Sequence, residues 1–395
     1  MILDNKTKKY FKIILLLLII SSIIYGKPSD KIKFNSNEVT KLEYDFFTKI
    51  DKGITNDIEL HYDGFIIASG ITDETEFKLY REKLNEIRNL AKIELTQYIN
   101  EGAYEFGKRL LSWIYEKGIL KKYFETATLF QDMIYKGEYN CLTSSILYSL
   151  LYTEFGYKVK GILTSNHAFC VVYTERGNID VETTVAKGFD PGTKEIRNTG
   201  ASTIITFVPR QNYNNRNEVD ILTLIATLYP NSISLRKIER DLEKQLTMAK
   251  KAYYLSPNTK IYKDNLVNAF NRAALDCIKK TQYDEAYQYL GEALIFDNSS
   301  AMTKNNIIHY YNAIGTAYLR KKDFPNAIQI YKKGLMDIGE NANVLEKNLK
   351  VSYYNYAVSE YNSRRYNNAY TISEEALKLF PNDRDFIRLQ TSIPK

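Results

Sequence analysis

Cys141 and His167 are the residues of this sequence best placed by type and order to do covalent chemistry together. Only three cysteines and three histidines occur in 395 residues. Cys141 opens a helical pattern in NCLTSSILYSLLYTEFG, and His167 opens a strand pattern in HAFCVVY. The next strand pattern, IDVETT, brings Asp180 and Glu182. Sulfur attacks as thiolate, and both a helix start and a neighbouring imidazolium favour that form. Unpaired N–H groups at the helix start, with Asn140, are candidate donors to the oxyanion of an acyl intermediate. His167 is the candidate base, and a carboxylate beside it would hold its tautomer and stabilise the imidazolium. Alternate strand residues share a face, so Asp180 and Glu182 both suit that place and parity does not choose between them.

The remaining histidines, His61 and His309, stand far from His167 in sequence, and no His/Cys cluster has metal-ligand spacing. No metal and no cofactor is therefore expected. Cys170 reads as a small core residue of a strand and Cys277 lies in a helical repeat, so the three cysteines form no disulfide framework.

The elements that must position this chemistry follow from apolar periodicity. Residues 27–135 read as a helical lead-in. It begins with a weakly patterned stretch, with some helix near 38–48, and continues with helices over 73–98, 104–115 and 120–134. The helix over 73–98 is expected to bury a stripe of Phe77, Tyr80, Leu84, Ile87, Leu90 and Ile93. Residues 136–210 change character. A helix over 141–155 stops at Gly156, and strands over 157–163, 167–173 and 179–184 follow, the last two joined by an ERGN turn. A further strand is expected over 203–208. Helices followed by an antiparallel sheet make this an α+β module.

From about residue 217 the pattern is all helical, with a degenerate repeat over 217–257 and a clear repeat over 258–395. Ala274, Gly315 and Ala357 are each followed twelve residues later by Ala286, Ala327 and Ala369, and seven further on by Ala293, Gly334 and Ala376. Phe270, Tyr311 and Tyr353 each precede the first small residue by four. Small residues at these offsets let two helices approach closely while the aromatic fills the space beside them.

Residues 1–26 read as a targeting segment: Lys6, Lys8, Lys9 and Lys12 precede a short apolar run. A secretory signal and an uncleaved membrane anchor both fit, and either leaves the bulk of the chain outside the cytoplasm. The expected location is periplasmic, secreted or anchored on the outer side of the cytoplasmic membrane. No cysteine follows the run, which argues against a lipoprotein. The segment carries +3 of the formal +7, leaving about +4, with no basic stripe to argue for nucleic acid.

The Cys–His–acid order, read as NCLTSSILYSLL, HAFCVVY and IDVETT over about 136–191, resembles the transglutaminase-like superfamily of papain-type thiol enzymes. The resemblance implies a papain-like α+β core with Cys141 as nucleophile, His167 as base and Glu182 as third member, Asp180 being next in line. The upstream segment FIIASGITDETEFKLYREKLNEIRNLA is similar to the helical lead-in of a bacterial branch of that superfamily, in which helical repeats often follow. The implied activity is that of a peptidase, an amidase or an amide-forming acyltransferase acting on a protein or peptide. An inactive envelope scaffold that holds a protein partner through its repeats is the alternative. Residues 265–381 resemble tetratricopeptide repeats, although the unit is 41 to 42 residues long, which implies long linkers between repeats.

Overall fold

Short polar side chains open the helices of the N-terminal half. Thr40 closes a capping box on α1 (Lys41–Asp51), while Asp57 caps α2 (Ile58–Ala68) and Asp73 caps α3 (Glu74–Leu95). The computed structural model describes residues 32–192, 194–198, 203–207, 215–235, 241–339 and 342–394. Residues 1–26, expected to be a targeting segment, lie outside the described residues. Among those described, no helix is long and apolar enough to cross a membrane. The protein is mostly helical with small sheets. It divides after Asn265 into two compact units.

In the first unit, α3 runs into a 3-10 turn (Thr96–Glu101) and α4 (Ala103–Glu116) follows. The two-residue strands β1 (Lys122–Tyr123) and β2 (Glu138–Tyr139) pair in parallel on either side of α5 (Phe130–Lys136). Helix α6 (Cys141–Glu154) leads into β3 (Val159–Leu163), β4 (Ala168–Thr174) and β5 (Gly177–Val181). A hairpin of β6 (Lys194–Asn198) and β7 (Thr203–Phe207) precedes β8 (Asn217–Val219). The main sheet has the order β5-β4-β3-β8 with antiparallel neighbours. Helices α7 (Ile221–Ala226), α8 (Leu228–Leu235) and α9 (Leu242–Leu255) complete the unit. One face of the sheet packs on α6, through Cys170 beside Ser145 and Ser149. It also packs on α7, whose Leu224 lies where a Cβ on Gly161 would come within 2.5 Å.

Several expectations are corrected here. Helix α3 buries Tyr80, Leu84, Arg88, Ala91 and Leu95, while Ile93 is 78% exposed. The stripe is rotated because Arg88 is drawn inward by Glu59 and Glu154. The helix expected over 120–134 is only the seven-residue α5, because backbone pairing with β2 takes Lys122 and Tyr123. Helix α2 has no apolar stripe to find, since Leu60, Tyr62, Phe65, Ile66 and Ile67 bury it all round. Residues 217–219 are a sheet strand, and the helices up to Leu255 belong to the first unit with the lead-in, tied to α1 by the buried Glu43–Lys251 ion pair at 2.7 Å.

The second unit takes α10 (Lys260–Lys279) from Leu266 onward, then α11 (Tyr283–Phe296), α12 (Ala301–Arg320), α13 (Phe324–Ile338), α14 (Asn343–Asn362), α15 (Tyr366–Leu379) and α16 (Arg384–Ser392). Phe270, Tyr311, Tyr353 and the repeated alanines and glycines face the core, with every one of those alanines at 0% exposure. The long repeat does not arise from long linkers. The first helix of each pair is 20 residues, and the loop from α11 to α12 is only four. Each turn inside a pair passes through one residue in the left-handed region, at Thr281, Lys322 and Arg364. Asparagines join successive first helices: Asn306 donates to Asn271 at 2.7 Å and Asn348 to Asn312 at 2.6 Å.

Two stability predictions follow from this packing. A Cβ on Gly315 would meet the Tyr331 ring at 2.4 Å. Gly315→Ala should therefore destabilise by about 1–3 kcal/mol through overpacking, although alanine is the better helix former. Urea denaturation of the full chain measures it. At the end of α6, Glu154 accepts from Arg88 at 2.7 Å, Tyr62 at 2.6 Å and Lys92 at 2.8 Å. Burial alone would raise its pKa, but these donors outweigh burial and hold it at about 2, down from 4.5. The network's contribution is therefore complete above the ordinary carboxylate range and fades as pH falls toward 2. Glu154→Gln should cost roughly 2–4 kcal/mol at neutral pH, less in acid, as chemical denaturation at several pH values would show.

Candidate active site

The cysteine helix begins where it does because Asn140 stops the strand and caps the helix. Its Oδ1 accepts from the N–H groups of Leu142 and Thr143, each at 3.0 Å, and Thr143 Oγ1 accepts from the Asn140 N–H in return. The Asn140 Nδ2 donates to the Glu125 carbonyl at 3.1 Å. Asn140 is thus a buried cap, with its Oδ1 spent on the helix start and one Nδ2 hydrogen on Glu125. The Cys141 N–H, at the first helical position, is left without an intrahelical acceptor. The thiol is partly exposed.

His167 stands at the mouth of the β3–β4 hairpin. The turn is closed by Thr164, whose N–H donates to the His167 carbonyl and whose Oγ1 accepts from the His167 N–H. This places the imidazole just before the first residue of β4. Its ring also stacks on Phe169, with centroids 6.0 Å apart.

Glu182 lies one residue past the end of β5, in a turn held from several sides. Its N–H donates to the Gly188 carbonyl at 2.8 Å, and a Cβ on Gly188 would lie 1.9 Å from the Glu182 carbonyl oxygen. Only glycine permits that approach. The Thr183 hydroxyl is buried between Ser144 at 2.8 Å and Ser145 at 2.9 Å, both on the first turns of α6. Tyr115 donates to the Thr183 carbonyl at 2.8 Å and Tyr139 to the Thr184 carbonyl at 2.9 Å. Glu182 Oε1 accepts from the N–H and hydroxyl of Thr184.

These supports bring Cys141, His167 and Glu182 together. Glu182 Oε2 lies 2.6 Å from His167 Nε2, and Cys141 is near enough to the imidazole to raise its pKa. With Nε2 taken by the carboxylate, Nδ1 is the ring nitrogen left for sulfur. Asp180 is not part of the group: Arg216 holds it in a two-point ion pair at 2.7 and 3.0 Å. It lines an open groove with Asn178, Asp190 and Glu218 on the sheet. Cys170 is fully buried, and burial pushes its thiol up to about 12. His61 is a buried histidine whose Nε2 meets the Thr55 carbonyl, and His309 lies on an exposed helix face. Among the described residues no three metal-ligating side chains converge.

The electrostatics of the group favour imidazolium. Burial would lower the pKa of His167, but hydrogen bonds to Cys141 and Glu182 and their charges outweigh it and raise the pKa to about 10. Glu182 is held below the carboxylate range by His167 and Thr184, despite its burial. The histidine's share of stability is complete below the ordinary imidazole range and is lost as pH rises through about 10. The glutamate's share is complete above the ordinary carboxylate range and is lost on acidification. Cys141, which raises the imidazole's pKa, is itself partly exposed. Sequence reasoning missed Thr183, Tyr115, Tyr139 and Gly188. Thr183 and Gly188 stand within the IDVETT segment and the turn after it, whereas the tyrosines carry no local signal.

Two measurements test this site. Iodoacetamide at neutral pH should alkylate Cys141 faster than Cys170 or Cys277, as peptide mapping would show. In Glu182→Gln, the deprotonation of His167 should move down from about 10 toward the ordinary imidazole range. Imidazole NMR titration reads that shift, and an unchanged midpoint would sink the assignment of Glu182 as the group that holds the proton. No protein-family model and no curated protein matches this chain, so its function has to be read from the site itself.

Proposed function

We propose that the chain is an exported thiol enzyme of the transglutaminase-like, papain-type kind, acting on an amide bond of a protein or peptide. The observation that carries this reading is the His167 imidazole bonded to Glu182 at 2.6 Å, with Cys141 near enough to raise its pKa. In this scheme the Cys141 thiolate attacks the carbonyl carbon and the π pair moves to oxygen. The tetrahedral species collapses, the C–N bond breaks, and His167 gives its proton to the leaving amine. Water or a second amine then attacks the thioester, His167 takes the proton, and the C–S bond breaks to return the thiolate. Glu182 keeps His167 oriented through both halves and stabilises it whenever it carries the proton. Export rests on the charged and apolar pattern of residues 1–26. The helical pairs of the second unit, read as tetratricopeptide repeats, would present a surface for a protein partner.

The repeats also support a second reading, an inert envelope scaffold. Parallel labelling of wild type, Cys141→Ala and His167→Ala with an electrophilic peptide probe separates the two. The enzyme reading expects no labelling of Cys141→Ala and labelling of His167→Ala slowed by roughly a hundredfold or more. Equal labelling of wild type and His167→Ala, together with partner capture unaffected by Cys141→Ala, would favour the scaffold.

A further inference from the structure

An acyl intermediate on Cys141 needs more than one hydrogen-bond donor for its oxyanion, and the first turn of α6 supplies only one. The N–H groups of Leu142 and Thr143 are taken by Asn140 Oδ1, and that of Ser144 by the Asn140 carbonyl. The Asn140 Nδ2 gives one hydrogen to the Glu125 carbonyl, and the side chain is buried at 4% exposure. The Cys141 N–H remains.

Tyr123 stands beside this gap. Strand β1 pairs in parallel with β2, so Tyr123 sits opposite Tyr139, two residues before Cys141, and the Phe124 N–H donates to the Tyr139 carbonyl at 2.9 Å. The rings of Tyr123 and Tyr139 meet edge to face at 5.9 Å. Tyr139 is itself fastened to the acid turn through the Thr184 carbonyl. Tyr123 is therefore held by its backbone and ring, yet 45% of its surface faces solvent, and its hydroxyl has no hydrogen-bond partner among the described residues. The other tyrosines of this cluster, Tyr115 and Tyr139, spend their hydroxyls on backbone carbonyls. Burial of its inner half, and next the charge of Cys141, push the Tyr123 phenol up to about 12, so it is a hydrogen-bond donor and not a phenolate at neutral pH.

We propose that the Tyr123 hydroxyl is the second oxyanion donor, acting with the Cys141 N–H on the carbonyl oxygen of a substrate attacked by Cys141. The assignment rests on the acyl-transfer reading above. No proton changes hands in this role: both donors stabilise the oxygen while the S–C bond forms, and release it when the leaving group departs.

The test uses the full chain as wild type, Tyr123→Phe and Cys141→Ala, with two probes. p-Nitrophenyl acetate acetylates a thiolate through a tetrahedral oxyanion, whereas iodoacetamide alkylates it by displacement with no oxyanion. Tyr123→Phe should acetylate Cys141 roughly ten- to a hundredfold more slowly than wild type. Its alkylation rate should stay at the wild-type value. Equal acetylation of wild type and Tyr123→Phe overturns the assignment while leaving the thiol enzyme intact. A parallel fall in both rates makes Tyr123 part of thiol activation and overturns it too. Absence of Cys141-dependent acetylation in wild type overturns the acyl-transfer reading and this donor with it.

Discussion

The site depends on one buried hydroxyl contact. Thr183 Oγ1 lies between Ser144 and Ser145, and those serines occupy the turns of α6 directly after Cys141. The serines in turn reach back to the carbonyls of Asn140 and Cys141, at 2.8 and 2.6 Å. A single knot thus ties the helix that carries the sulfur to the turn that carries the acid. All three residues are at 0% exposure, so losing any one hydroxyl removes a buried hydrogen bond between the helix and the turn. Because His167 takes its orientation from Glu182, the sulfur–imidazole geometry is fixed at second hand by Thr183. Tyr115 and Tyr139 reinforce the same turn from the side of α4 and β2.

How much of this was legible in the sequence depended on the range of the signal. Cys141 and His167 were readable because each opens a local pattern, whereas Glu182 was set ahead of Asp180 only by the family resemblance. Choosing between Asp180 and Glu182 was beyond parity, since β5 ends at Val181 and Glu182 reaches His167 from a turn, outside the alternation. The choice is made instead by Arg216, which claims Asp180 from far along the chain. Helix α2 and the two-residue strands were illegible for opposite reasons: one is buried on every side, the others are too short to show a period. Arg88 misled the reading of α3 because a charged residue was not expected to face inward, and Glu59 and Glu154, with Asn85 and the Tyr62 ring, make that burial tolerable.

The second unit shows the same division. Spacing alone located the small residues, because close helix packing leaves no alternative to alanine or glycine there. It could not say where the extra length of the repeat goes, and that length enters the first helix of each pair. The left-handed turn residues Thr281, Lys322 and Arg364 recur at the same point although their types differ completely. Backbone conformation there is set by the packing of the flanking helices, which tolerates a strained residue more readily than a shifted helix.

Gly188 gives the acid turn an unusual vulnerability. Any side chain there begins with a Cβ, and that carbon has no room beside the Glu182 carbonyl. The turn would have to open, carrying the carboxylate away from His167, while the cysteine, histidine and glutamate all remained in the sequence. Descendants of this chain could therefore lose the geometry of the site by drift at a residue with no chemistry of its own. A gene inventory that counts only the three reactive side chains would score such a chain as intact.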